Sequence, residues 1–122
     1  MKILLVDDSM LCRKMVIKHL QEVLPQAKFF TAANGKEGYR LFQVEAPDFM
    51  IIDLLMPEMT GLELLQQVKQ DSAETKVIVL SADVQKITQQ EAIELGALKF
   101  LTKPFTQSQA EEIAALFSNK GE

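Results

Sequence analysis

The chain has 122 residues, 48% of them hydrophobic and 25% charged, which is typical of one globular domain large enough to bury a core. The formal net charge of −4 argues against a nucleic-acid partner, because such partners are bound through Lys and Arg side chains. Cys12 is the only cysteine, which excludes an intrachain disulfide and a cysteine-based zinc site and favours a reducing, cytoplasmic setting. The first apolar run, residues 3–6, is too short for a signal peptide or a membrane span.

Short apolar runs alternate with segments of helical periodicity along the whole chain. We predict strands at residues 3–6, 28–33, 49–52, 76–80 and 98–102, where the runs are bounded by polar residues, Gly or Pro. We predict helices at residues 10–24, 36–45, 62–70, 84–95 and 107–117, and a frayed tail after them, at residues 119–122. Ser9 is the predicted N-cap of the first helix, and Pro25 ends it.

The apolar positions of the helices predict which faces are buried. In the first helix we expect burial of Leu11, Met15, Ile17, Leu20, Val23 and Leu24. In the fourth the apolar residues are Ile87, Ala92, Ile93 and Leu95. In the fifth we expect burial of Ile113, Leu116 and Phe117.

Five successive strand–helix units predict an α/β fold with a parallel sheet, right-handed crossovers and helices on both faces. Five units are too few for a closed eight-stranded barrel, so an open, doubly wound sheet is expected. The flavodoxin-like strand order 2-1-3-4-5 is the natural arrangement for five strands. No linker or low-complexity segment interrupts residues 1–122, which we therefore read as a single domain.

Polar side chains follow four of the predicted strands. Asp7 and Asp8 follow the first strand, Asp53 the third, Ser81 the fourth and Lys103 the fifth. Strands one and three are neighbours in the predicted order, so the three carboxylates should meet at the carboxyl edge of the sheet, where ligands bind in open α/β folds.

Three crowded carboxylates repel one another, so the cluster is expected either to protonate or to bind a cation. Mg²⁺ is the simpler solution, since it prefers oxygen ligands and retains several waters. We assign Asp8, Asp53 and the main-chain carbonyl of Leu55 as direct ligands and Asp7 as a mainly water-mediated one. Lys103 and Ser81 suit the charged oxygens of a phosphoryl group, and Asp53 can act as its nucleophile.

Other interpretations compete with this one. Taken singly, Asp7 and Asp8 are typical of helix N-termini, Asp53 of a turn, Ser81 of a helix cap and Lys103 of a solvated charge. A magnesium-dependent phosphohydrolase of the haloacid-dehalogenase type would carry a second Asp at position 55, which is Leu here. A nucleotide-binding enzyme would need a glycine-rich loop, which is missing, and a flavin carrier would not place carboxylates where its phosphate binds.

Five motifs in order make the chain resemble the response-regulator receiver domain, of the CheY-like, stand-alone type. They are residues 6–9 (Val-Asp-Asp-Ser), Asp53 with residues 56–61 (Met-Pro-Glu-Met-Thr-Gly), Ser81-Ala82, Gly96-Ala97 and residues 103–105 (Lys-Pro-Phe). The resemblance implies that Asp53 accepts phosphate from a histidine kinase, Asp7 and Asp8 hold Mg²⁺, Lys103 contacts the phosphoryl group and Ser81 reorients toward it. It also implies that Phe100 turns inward as an aromatic switch and that the bond before Pro104 is cis.

The resemblance leaves several outputs open. Phosphorylation is expected to switch the surface of helix four, strand five and helix five and so control a protein partner, as in a chemotaxis-type regulator. A phosphorelay intermediate or a phosphate sink, exchanging phosphate with a phosphotransfer protein, is the alternative. We expect no enzyme activity beyond self-phosphorylation and autodephosphorylation, and a monomer or weak dimer. Leu55 and Asp83 flank the route of an attacking water and are the expected determinants of phosphoryl lifetime.

Overall fold

The computed structural model of the chain describes residues 1–83 and 85–118. Within them a five-stranded parallel sheet has the order β2-β1-β3-β4-β5, which confirms the predicted flavodoxin-like topology. The strands are β1 (Lys2–Val6), β2 (Lys28–Ala32), β3 (Phe49–Ile52), β4 (Lys76–Ser81) and β5 (Lys99–Thr102). The helices are α1 (Met10–Val23), α2 (Gly35–Glu45), α3 (Gly61–Asp71), α4 (Lys86–Glu94) and α5 (Gln107–Ser118).

Both faces of the central strands are buried, which is why these strands read as continuous apolar runs. Successive side chains of a strand point to opposite faces, so each strand contributes to two separate cores. On one face Val6, Ile52 and Val79 pack with residues of α2, α3 and α4. On the other face Leu5 and Ile51 pack with residues of α1 and α5. The helices are therefore divided between the two faces, three on one and two on the other.

The strand register places the carboxyl ends of the strands at one edge. Val6 of β1 pairs with Ile52 of β3, and the amide of Asp53 continues the ladder by donating to the Val6 carbonyl at 2.9 Å. Ser81 of β4 pairs with Thr102 of β5. The polar residues at the ends of these strands are consequently delivered to the same edge of the sheet.

Polar caps fix the directions in which three helices leave this edge. The Ser9 hydroxyl accepts from the Cys12 amide at 3.1 Å, which confirms the predicted N-cap of α1. Asn34 caps α2 through the Glu37 amide. Thr60 and Glu63 form a reciprocal capping box at the start of α3.

The buried face of α1 differs from the prediction. Leu11 and Met15 are 70% and 37% exposed, whereas Val16 and Leu20 are fully buried. Successive helical residues are about 100° apart around the axis, so a stripe through 16 and 20 turns 11 and 15 towards solvent. Ile17, Val23 and Leu24 are partly buried at the edge of that stripe.

The apolar residues of α4 are buried to different extents. Ile87 and Ile93 are 63% and 49% exposed, Ala92 is the fully buried residue of this helix, and Leu95 is partly buried. The start predicted at residue 84 lies outside the described residues, and α4 is described from Lys86. The small buried side chain at position 92 leaves α4 weakly anchored to the sheet.

At the other end of the chain, most predictions are confirmed. In α5 Ile113 is buried and Leu116 partly buried, and the bond before Pro104 is cis. The predictions for the side chain of Phe117 and for the tail at 119–122 lie outside what the structure describes.

The corrected face of α1 yields a direct test. Leu20→Ala should lower the free energy of unfolding by about 2–5 kcal/mol, because it leaves a cavity in a closed core. Leu11→Ala, the same change on the same helix, should cost less than about 0.5 kcal/mol because its side chain is already exposed. Urea unfolding of both variants measures the difference, and equal losses would contradict the assignment of the buried face.

Candidate functional site

Three carboxylates converge at the carboxyl edge of the sheet. One oxygen each of Asp7, Asp8 and Asp53 lie within 4.8 Å of one another. Asp7 and Asp53 are 1% and 4% exposed, while Asp8 faces solvent. The structure thus brings together the three acidic residues that the strand order placed there.

The loop after β1 is fixed by contacts to Asp7. The Asp7 amide donates to the Ala32 carbonyl at 3.1 Å, and Asp7 Oδ1 accepts from the Ser9 amide at 2.8 Å. Arg13 Nη1 donates to the Asp7 main-chain oxygen at 2.6 Å. Arg13 was missed by the sequence analysis, because a side chain that binds a backbone carbonyl leaves no periodic signal.

The loop after β3 folds back tightly over Asp53. Asp53 Oδ1 accepts from the Leu55 amide at 3.3 Å, and the Gly61 amide donates to the Leu54 carbonyl at 3.0 Å. A Cβ at Gly61 would lie 2.3 Å from the Asp53 carbonyl oxygen, so this close approach requires glycine. The Leu55 side chain is 65% exposed at the rim of the cluster, where the sequence analysis placed a determinant of lifetime.

Lys103 supplies the positive charge of the site. Its Nζ lies 3.0 Å from Asp7 Oδ2 and 3.1 Å from Asp53 Oδ2, so one ammonium is shared by two buried carboxylates. Its main-chain amide donates to the Ser81 carbonyl at 2.9 Å, which ties the start of the β5–α5 loop to β4. Burial by itself would lower the pKa of Lys103, but the hydrogen bonds and charges of Asp7 and Asp53 outweigh it and raise that pKa. Lys103 is therefore a permanent cation.

The protonation of Asp53 reflects competing influences. Burial and the neighbouring Asp7 charge raise the pKa of Asp53, while Lys103 and the Leu55 amide oppose that increase. Burial, together with the adjacent Asp7, also raises the pKa of the Cys12 thiol to about 12. Cys12 therefore stays neutral and adds no further negative charge to the cluster.

Ser81 and Asp83 connect the site to α4. Ser81 is fully buried, and its Oγ accepts from the Asp83 amide at 3.1 Å. Asp83 Oδ1 accepts from the Gln85 amide at 2.9 Å, and Asp83 Oδ2 accepts from the Thr88 hydroxyl at 3.1 Å. The Asp83 carboxylate is thus engaged at the start of α4.

Phe100 lies in β5 opposite Val79 of β4, two residues before the strand ends. It is partly buried and packs against the core that contains α4. Phe100, the predicted aromatic switch, thus lies next to α4, the helix to which Asp83 is bonded.

The chain is similar to known proteins in both sequence and structure. A sequence model of the family described as "Response regulator receiver domain" matches residues 3–115. The chain is 38% identical over 105 residues to the chemotaxis protein CheY of Listeria monocytogenes, covering 86% of this chain and 87% of that protein. The structure of Vibrio cholerae chemotaxis protein CheY4 is similar with a TM-score of 0.84 and 32% identity, covering 94% of this chain and 96% of that one.

Other relatives are longer than this chain. The probable C4-dicarboxylate response regulator DctR of Bacillus subtilis is 34% identical over 104 residues, which is 85% of this chain and 46% of that protein. The chain therefore spans about half the length of that relative. Among the described residues, no helix has both the length and the apolar character needed to cross a membrane.

The raised pKa of Asp53 predicts a pH-dependent stability. The folded state binds the Asp53 proton more tightly than the unfolded state does. The free energy of unfolding therefore falls as the pH rises from about 3.8, the ordinary pKa of an aspartate, through the raised pKa of Asp53 in the folded state. Asp53→Asn should therefore stabilise the metal-free protein at pH 7, with a gain that fades below pH 3.8. Urea unfolding in chelator measures it, with Glu91→Gln, an exposed carboxylate on α4, as control. A less stable Asp53→Asn variant at pH 7 would contradict the assignment.

Proposed function

The chain belongs to the family of response regulator receiver domains, and we propose that it is a phosphoacceptor of two-component signalling. In this proposal Asp53 receives a phosphoryl group from a phosphohistidine of a histidine kinase or a phosphotransfer protein. The observation that carries it is the buried Asp53 carboxylate, which shares the Lys103 ammonium with Asp7 at the edge of the sheet. A carboxylate held beside a fixed cation is prepared to become an acyl phosphate, because the cation can then offset the negative charge of the phosphoryl oxygens.

The donor set fits Mg²⁺. Three carboxylate oxygens within 4.8 Å of one another form a hard, anionic cluster, and the exposed Asp8 leaves one side open to water. We assign Asp8, Asp53 and the Leu55 main-chain carbonyl as direct ligands and Asp7 as water-mediated. When bound, the ion would offset the charge that builds up on the phosphoryl oxygens.

The chain's own residues perform the transfer. A carboxylate oxygen of Asp53 attacks phosphorus, the phosphorus–nitrogen bond to the donor histidine breaks, and its electron pair returns to the imidazole. Lys103 stabilises the transferring oxygens by charge, and the Ser81 hydroxyl donates to the product phosphoryl group. That last contact draws Ser81 away from its present partner, the Asp83 amide.

The output follows from the link between Ser81 and α4. Asp83 binds Ser81 through its amide and α4 through its carboxylate. Movement of Ser81 therefore displaces the start of α4, a weakly anchored helix. Phe100 packs on the same side of the sheet and completes the switch. Phosphorylation shifts the population between two arrangements of the α4–β5–α5 surface, which then binds a protein partner. The similarity to chemotaxis proteins supports a chemotaxis-type regulator.

The proposal predicts where phosphate is accepted. With acetyl phosphate and Mg²⁺ the wild-type chain should be labelled, and Asp53→Asn should lose labelling because an amide is not a nucleophile for phosphorus. Asp48→Asn, five residues away on the opposite edge of the sheet, should be labelled at the wild-type rate. Persistent labelling of Asp53→Asn at the same site would refute the role of Asp53.

The exposed Leu55 predicts a tunable lifetime. Leu55→Asn should accelerate autodephosphorylation by roughly tenfold or more, because an amide can position an attacking water that leucine cannot. Leu98→Asn, a partly exposed leucine at the opposite end of the sheet, is the control and should decay at the wild-type rate. The measurement is the decay of labelled protein after removal of the donor, and an unchanged decay curve for Leu55→Asn would show that this position has no role in lifetime.

A further inference from the structure

The segment from Thr102 to α5 determines the main-chain position of Lys103, from which its side chain extends. Thr102 is the last residue of β5, and Phe105 is buried at 3% exposure in the core shared by α1 and α5. Between them, the Lys103 amide is tied to the Ser81 carbonyl at 2.9 Å. The segment is thus held to β4 by the Lys103 amide and to the core by Phe105. A further contact comes from α5.

Gln109, in the first turn of α5, makes three hydrogen bonds to this segment. Its amide donates to Thr106 Oγ1 at 3.2 Å, and its Oε1 accepts from the Thr106 amide at 3.1 Å. That reciprocal pair is a capping box. In addition its Nε2 donates to the Thr102 carbonyl at 2.9 Å. Helix capping does not require this third bond, which joins the end of the strand directly to the helix.

We propose that Gln109 is a positioning residue for Lys103, because its side-chain amide clamps the residue before Lys103 to the first turn of α5. The inference rests on the proposed function, in which Lys103 contacts the transferring phosphoryl group. It adds a residue outside the acidic cluster that acts on the reaction through another side chain.

The clamp matters because Lys103 is held at its tip by charges that change. In the present arrangement Asp7 and Asp53 fix the ammonium. During phosphoryl transfer Asp53 forms a new covalent bond to phosphorus, and the same carboxylates would also hold a cation. They then bind the ammonium less strongly, so the flexible lysine stem loses part of its anchoring. A fixed main chain at Thr102 then limits where the ammonium can lie, and misplacement by about 1 Å can cost as much as a hundredfold in rate.

A single substitution separates the clamp from the cap. Gln109→Glu keeps an Oε1 that accepts from the Thr106 amide and suits a helix N-terminus, but it has no donor for the Thr102 carbonyl. Ser108→Glu places the same charge on an exposed neighbour in the same turn and keeps the clamp, so it is the matched control. Thermal unfolding of both variants checks that the fold is retained.

The test is a double-mutant cycle on the labelling rate with acetyl phosphate and Mg²⁺. Gln109→Glu should slow labelling about tenfold, which is less than the hundredfold loss that a misplacement of about 1 Å can cause. Ser108→Glu should change the labelling rate less than about twofold. In a Lys103→Ala background, Gln109→Glu should have no further effect, because the residue through which it acts is gone. A purely structural role would leave the tenfold loss intact in that background.

The outcomes distinguish this inference from the proposed function. Labelling of wild type and Gln109→Glu at equal rates, or a loss that persists without Lys103, would overturn the positioning role while the proposed function stands. An unlabelled wild-type chain would overturn the proposed function and, with it, the role of Gln109.

Discussion

The ammonium of Lys103, shared between the buried carboxylates of Asp7 and Asp53, is the contact on which the site depends. Two acids that are almost fully buried and close together would not both remain ionised without a positive charge between them. Each of the three groups comes from a different strand end, so the contact exists only when β1, β3 and β5 are in the same sheet with the observed order. Fold and site are therefore specified together: the sheet brings the charges into contact, and the lysine makes their proximity tolerable.

The same crowding explains why a modification at this edge can be felt elsewhere. In the proposed function, a phosphoryl group on Asp53 would convert one carboxylate into a mixed anhydride and add new anionic oxygens, which would compete for Lys103 and for the Ser81 hydroxyl. Ser81 is bonded to Asp83, and Asp83 is bonded to Thr88 in α4. The helix at the end of this chain of contacts has Ala92 as its one fully buried residue, and we therefore propose that a small change in hydrogen bonding shifts its position. In this proposal the change at Asp53 is local and electrostatic, whereas its effect is expected on a protein surface.

The sequence was informative where patterns are periodic or fall at element boundaries. The strand order and the meeting of Asp7, Asp8 and Asp53 followed from the alternation of elements and from polar residues at strand ends. The predicted face of α1 was wrong, because an apolar residue such as Leu11 can be present without being buried, and Ile87 in α4 is a second example. Arg13 and Gln109 were not found, since both act through bonds to backbone carbonyls, which depend on three-dimensional placement. Asp83 was noticed, but its bonds to α4 could not be inferred from spacing.

We propose that the charge arrangement around Lys103 makes Asp53, among all the carboxylates of the chain, the one that forms an acyl phosphate. Borohydride reduction of the chain after exposure to acetyl phosphate and Mg²⁺, followed by peptide mass spectrometry, tests it directly, because reduction converts an aspartyl phosphate into homoserine. We expect homoserine at position 53 alone, and none when Mg²⁺ is removed by a chelator. Conversion at Asp7 or Asp8, or conversion at Asp53 that is indifferent to the chelator, would contradict it.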